Sequence, residues 1–125
     1  MTIDPSARVA PGAVIGNDVT IGHMCLIHGC TLEDTSVIGM KSTIMDGVVV
    51  EAGAMVAAGS LVPPGKRVKR GEIWAGNPAK LFKPMSPQIE AMFIEIRNHY
   101  ATLGRQHAAS LEAQARQPRP VPVAT

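Results

Sequence analysis

The sequence predicts an all-β solenoid: a parallel β-helix of hexapeptide repeats followed by a C-terminal α-helix. The first observation is a step of six. Large apolar residues recur at Ile3, Val9, Ile15, Ile21, Ile27, Leu32, Ile38, Ile44, Val50, Val56, Val62 and Val68, and Trp74 closes the series. One step departs from six, the five residues from Ile27 to Leu32. A period of six fits neither a helix at 3.6 nor a simple alternating strand. It fits a coil of short strands that turns a corner after every six residues. The second observation is a series of mostly small residues two positions earlier: Ala7, Ala13, Val19, Cys25, Cys30, Ser36, Ser42, Val48, Ala54 and Ser60. Such a position suits the inside of a tight corner. The third is the aromatic content of only 3%. A narrow interior filled by stacked Val, Ile and Leu accounts for that shortage.

The elements follow in order. Residues 1–76 are assigned to the β-helix, about four coils at three strands per coil. Gly16, Gly22, Gly39 and Ala57 follow the apolar series directly. Gly12, Asn17-Asp18, Asp46-Gly47, Gly53, Gly59 and Pro63-Pro64-Gly65 are assigned to the outer bends, where φ > 0 is needed. Residues 77–85 form an exit segment in which Gly and Pro break the ladder. Residues 86–116 are assigned to the C-terminal helix. Ser86 suits the N-cap and Pro87 the first helical position. Ile89, Met92, Phe93, Ile96, Tyr100 and Leu103 lie at helical spacing on one face, with Gln88, Glu95 and Arg97 opposite. That face is expected to lie along the β-helix of its own subunit or of a neighbour. Residues 117–125, with three prolines, are expected to be a disordered tail.

A prism this short has much surface for its volume, so an oligomer is expected, with one flat face buried against another. The net charge is +2, which gives no reason to expect nucleic acid as a partner. Lys66, Arg67, Lys69 and Arg70 form a local basic cluster, read as a solvated loop. Cys25 and Cys30 fall in the small corner series and are read as buried apolar groups. Two such thiols without a signal peptide point to a reducing cytoplasm. No run reaches membrane-spanning length, so no membrane partner is expected.

The polar residues of note are His23 and His28, in Ile21-Gly22-His23-Met24-Cys25-Leu26-Ile27-His28-Gly29-Cys30. Neither occupies the core series. They are expected to straddle one corner and to project from the prism near an edge. Their spacing is compatible with a zinc site and equally with surface or hydrogen-bonded histidines. The shortened step falls just after His28. His99 and His107 are read as exposed on the C-terminal helix, Asp4 and Asp18 as turn residues, and Cys30 as pointing inward.

The segments Val19-Thr20-Ile21-Gly22-His23 and Leu26-Ile27-His28-Gly29-Cys30-Thr31 resemble the γ-class carbonic anhydrase family. So do Val37-Ile38-Gly39-Met40, Asp46-Gly47-Val48-Val49 and Val56-Ala57-Ala58-Gly59-Ser60-Leu61-Val62. The exit Trp74-Ala75-Gly76-Asn77-Pro78-Ala79-Lys80 and the helix with Asn98-His99-Tyr100 are similar to that family's. The Gly-Asn-Pro-Ala exit is shared with hexapeptide acyltransferases, whereas the Gly-His-x4-His-Gly-Cys segment is particular to the γ class. The resemblance covers about residues 14–104.

It implies a left-handed β-helix and a trimer, either a homotrimer or a mixed trimer with a full-length relative. In the family three histidines hold one zinc, or iron, at each subunit interface, two from one chain and one from the next. His23 and His28 match two of these ligands, each facing a different interface. Three neutral imidazoles leave an open position where water has a pKa of about 7, so hydroxide is available to attack CO2 in its reversible hydration to bicarbonate. The family's third histidine lies about two coils upstream, and residues 1–22 contain no histidine. Catalysis is therefore left open. The alternatives are a non-catalytic assembly or scaffold member of the same fold, or a hexapeptide acyltransferase or acyl-CoA thioesterase. An uninterrupted period, with no inserted loop for a catalytic histidine, speaks against the last.

Overall fold

A computed structural model describes residues 2–95. These residues form a parallel β-solenoid of about four turns, followed by one helix. The rungs are two-residue strands: β1 (Thr2–Ile3), β2 (Arg8–Val9), β3 (Val14–Ile15), β4 (Thr20–Ile21), β5 (Leu26–Ile27), β6 (Thr31–Leu32), β7 (Val37–Ile38), β8 (Thr43–Ile44), β9 (Val49–Val50), β10 (Met55–Val56), β11 (Leu61–Val62) and β12 (Arg67–Val68). Two longer strands follow, β13 (Glu72–Gly76) and β14 (Ala79–Pro84). Three sheets make the three faces. Face A runs β1-β4-β7-β10-β13-β14, face B runs β2-β5-β8-β11, and face C runs β3-β6-β9-β12.

The step of six becomes three stacked apolar ladders, because consecutive members of the series fall on consecutive faces. Ile3, Ile21, Ile38, Val56 and Trp74 are in register on face A. Val9, Ile27, Ile44 and Val62 are in register on face B. Ile15, Leu32, Val50 and Val68 make up face C. From Ile21 to Val68 every ladder residue is at most 1% exposed. The small series closes the corners inside, with Val19, Cys25, Cys30, Ser36, Ser42, Val48, Ala54 and Ser60 all buried. Val9 departs from the expected core, at 40% exposure. Its strand pairs on one side only, so no second coil covers it.

The glycines after the ladder residues have a steric cause. A Cβ on Gly39 would lie 2.5 Å from the backbone nitrogen of Ala58, where the next coil crosses. The outer bends use left-handed backbone as expected at Gly12, Asp18, Gly47, Gly53, Gly59 and Gly65. Met24, Thr35 and Lys41 also take it, at φ +55°, +61° and +58°. No turn chemistry marks those three, because the stacking of coils dictates the corner and overrides local preference.

The shortened step is resolved as a trimmed corner. Where a full corner closes with an N–H to C=O bond across three residues, as Ala54 to Glu51, the corner after β5 closes with Cys30 N–H donating to His28 C=O at 2.6 Å. Strand pairings that span this corner are offset by 17 residues, as Leu26 with Thr43; the others are offset by 18, as Leu61 with Thr43.

Residues 77–84 do more than leave the prism. The chain reverses at Gly76, φ +106°, and the cis Asn77-Pro78 bond, and β14 returns antiparallel along β13. The open edge of face A is thereby paired rather than left bare. The helix α1 spans residues 87–95, up to the limit of the described chain. Ser86 caps it, its Oγ accepting the N–H of Ile89 at 3.2 Å and its C=O that of Glu90. Phe93 and Glu90, with Met85, line a small cleft against Thr35, Val37 and Gly53. The helix therefore lies against its own chain, beside face A. Met92, expected on the packed face, is 50% exposed. Ile96, Tyr100, Leu103, His99 and His107, the remainder of the 86–116 assignment and the 117–125 tail lie outside the described residues.

Candidate metal centre

His23 and His28 bracket a strand rather than a corner. His23 lies in the bend between β4 and β5, and His28 in the trimmed corner between β5 and β6. A spacing of five covers one whole face of the prism, since a rung is two strand residues and the rest is corner. The two side chains are therefore at opposite ends of β5, 55% and 47% exposed.

Each imidazole is held by a carboxylate from a different neighbouring coil. His23 Nδ1 lies 2.7 Å from Asp4 Oδ2, and the Asp4 side chain is 17% exposed. The other oxygen, Asp4 Oδ1, accepts Ser6 N–H at 2.9 Å and Ser6 Oγ–H at 2.6 Å. Ser6 Oγ in turn accepts Met24 N–H at 2.9 Å, which ties the first coil to the His23 bend. The Ser6 hydroxyl and N–H, with help from the His23 ring, hold the Asp4 carboxyl below its ordinary value of 3.8. Asp4 thus has the expected turn role and a second role at the histidine.

His28 Nδ1 meets Asp46 Oδ1 at 3.2 Å, and the same oxygen accepts Gly29 N–H at 2.9 Å. Asp46 is 73% exposed. A Cβ at residue 29 would sit 3.2 Å from that oxygen, so glycine leaves the carboxylate its place.

A metal-binding imidazole typically donates its second ring N–H to a carboxylate or carbonyl, which fixes the tautomer and the ring. Both histidines have a carboxylate oxygen beside Nδ1, the arrangement that such a donation needs. The donor chemistry fits zinc as two ligands of a larger set. Among the described residues no three His, Cys, Asp or Glu side chains converge on one point. Cys30, two residues from His28, is 2% exposed and turned inward as expected, and burial pushes its thiol up to about 11. Cys25 is also buried, its Sγ–H donating to Gly39 C=O at 3.1 Å; burial raises its pKa too. Neither thiol is a ligand in this arrangement. In the basic cluster, Arg67 is tied to Glu51 at 2.5 Å, and Arg70 N–H also donates to Glu51.

Asp4, Ser6 and Asp46 were not identified as site residues from the sequence. The signal was available: the coil across the trimmed corner is 17 residues, and Asp46 follows His28 by one such coil plus one residue. Asp4 precedes His23 by one coil plus one residue.

No protein-family model matches the sequence. It is 45% identical over 104 residues to gamma carbonic anhydrase 1, mitochondrial, from Arabidopsis thaliana, a match covering 83% of this chain and 38% of the relative. It is 42% identical over 86 residues to protein YrdA of Escherichia coli strain K12, covering 69% of this chain and 47% of that protein. The chain thus spans less than half the length of either relative. Among solved structures, a hexapeptide transferase family protein from Anaplasma phagocytophilum superposes with a TM-score of 0.69 at 30% identity, covering 84% of this chain and 91% of that one.

Proposed function

We infer a metal-dependent, carbonic-anhydrase-type function for this chain, which belongs to the γ-carbonic-anhydrase-like family of hexapeptide-repeat proteins. The reading is reversible hydration of CO2 at a seam between subunits of a trimer, with zinc, or iron, as the metal. One observation carries it. Two imidazoles at opposite ends of β5 each have Nδ1 engaged by a carboxylate and stand about half exposed.

Each part of the chain has a task in this reading. His23 and His28 offer Nε2 as ligands, one to each of two seams, because their positions at opposite ends of β5 keep them from closing on one ion. Asp4 and Asp46 hold the rings. A bound zinc supplies a Lewis acid that makes hydroxide available at neutral pH. The buried ladders keep the corner positions fixed, so the histidines are presented by a rigid column. A second copy offers the other histidine of each seam, and a third histidine comes from a full-length relative in a mixed trimer.

The experiment is metal analysis and stopped-flow CO2 hydration on the purified protein, alone and co-assembled with a full-length relative. Bound zinc or iron with hydration activity in either assembly is the expected result. A trimer that takes up no metal and hydrates no CO2 in both overturns the reading.

Two other readings have support of their own. The lack of a histidine in residues 1–22 favours a non-catalytic scaffold member, in which replacing both histidines by alanine leaves assembly unchanged. The Anaplasma hexapeptide transferase family structure favours an acyltransferase or thioesterase, for which a coenzyme A titration is the direct measurement. Two free, buried cysteines fit a reducing compartment, and we take the cytoplasm as that compartment. No helix among the described residues is long and apolar enough to cross a membrane.

A further inference from the structure

We propose that Asp4 and Asp46 are positioning residues, each holding a proton on Nδ1 of one histidine so that Nε2 faces outward as a lone-pair donor. The proposal deepens the metal-site reading above and rests on it. The two carboxylates reach the histidines from opposite directions along the column, Asp4 from the coil before and Asp46 from the coil after. Both have their own anchors. Asp4 Oδ1 is occupied by the Ser6 hydroxyl and N–H, which leaves Oδ2 for His23. Asp46 Oδ1 is fixed by Gly29 N–H, and the missing side chain at residue 29 keeps that approach open. An anchored carboxylate selects one tautomer, because the competing Nε2–H form would set two acceptors against each other across the short Nδ1 contact.

The anchoring differs between the two sites. Asp4 makes a 2.7 Å contact from a mostly covered position, and Asp46 a 3.2 Å contact from an exposed one. His23 should therefore be the more tightly held ring. A turn role alone would explain the Ser6 bonds to Asp4. It would not explain why a second carboxylate, on another coil and in another corner, makes the same contact to the same ring atom.

Two measurements on the full chain test this. Nitrogen NMR of the metal-free protein at about pH 8 reads the tautomer directly. The Nδ1–H form is expected at both histidines, with Asp4→Asn shifting His23 alone and Asp46→Asn shifting His28 alone toward a mixture. Zinc titration against a chelator reads the consequence. Either substitution is expected to weaken zinc binding about 10- to 100-fold. Ser6→Ala, which keeps the Asp4 carboxylate but removes one anchor, is expected to weaken it by less than either. Should Asp4→Asn loosen the first coil, Asp46→Asn on the exposed surface still decides the question. An Nε2–H tautomer in the parent protein, or zinc affinity unchanged in both Asn variants, overturns the proposal. A parent protein that takes no zinc defeats the metal-site reading instead, and the tautomer signals alone then decide the positioning role.

Discussion

The two histidine corners share a strand and are built in different ways. The His23 bend has full length and carries Met24 in left-handed backbone, at φ +55°. Its carboxylate, Asp4, is mostly covered and held twice by Ser6. The His28 corner is one residue shorter and closes with the tight Cys30 N–H to His28 C=O bond. Its carboxylate, Asp46, stands in solvent. The full corner has one more residue of bend, and the trimmed corner turns directly after His28. The same exposed imidazole is reached by two routes. What both retain is a carboxylate from an adjacent coil on Nδ1. That shared element, rather than the corner geometry, is the common design.

The comparison can be broken at the strand the corners share. Ile27 is fully buried between them, so Ile27→Ala should cost about 2–5 kcal/mol in chemical denaturation and loosen both corners together. Loss of one histidine–carboxylate contact without the other would mean that the corners are independent of β5.

A pH titration tests the trimmed corner next. Burial raises the Cys30 thiol to about 11 from 9.0, so the folded state keeps the neutral form while the unfolded chain ionises. The contribution is complete below pH 9 and is lost as pH rises toward 11. Stability should fall across that window in thermal melts, and Cys30→Ala should flatten the fall. Rapid labelling of Cys30 by a thiol reagent at neutral pH would show that the corner opens.

A smaller effect is expected at the full bend. Met24 is 63% exposed and sits in a conformation that L side chains avoid. Met24→Gly should relieve that strain against the extra entropy of glycine, a net gain of about 0.5–1 kcal/mol in denaturant midpoint. No equivalent gain exists at the trimmed corner, because no left-handed residue lies between Met24 and Thr35.

The smallest effect is at Gly29. An added methyl would meet Asp46 Oδ1 at 3.2 Å, and an exposed side chain can yield. Gly29→Ala should therefore change stability by only a few tenths of a kcal/mol. The His28 ring signals should shift in NMR while those of His23 stay in place.

Much of this was legible in the sequence because periodicity is a property of the chain itself. A step of six fixes which residues stack, and the three ladders follow from Ile3 to Trp74 without knowledge of any contact. The five-residue step marked the trimmed corner for the same reason. The small residues at Cys25, Ser42 and Ser60 are buried as their series requires.

Three features were decided only in three dimensions. The histidines bracket β5 instead of one corner, since the division of a rung into strand and bend is not visible in its length. Gly76, Asn77 and Pro78 announce a break, but the antiparallel return of β14 depends on the free edge that β13 offers. The pairing of Asp4 with His23 and Asp46 with His28 joins residues a coil apart, through side-chain tips whose direction the sequence does not encode. Repetition set the column and its contents. The stacking of coils, which brings distant carboxylates within hydrogen-bond reach of exposed rings, made two histidines into a candidate site.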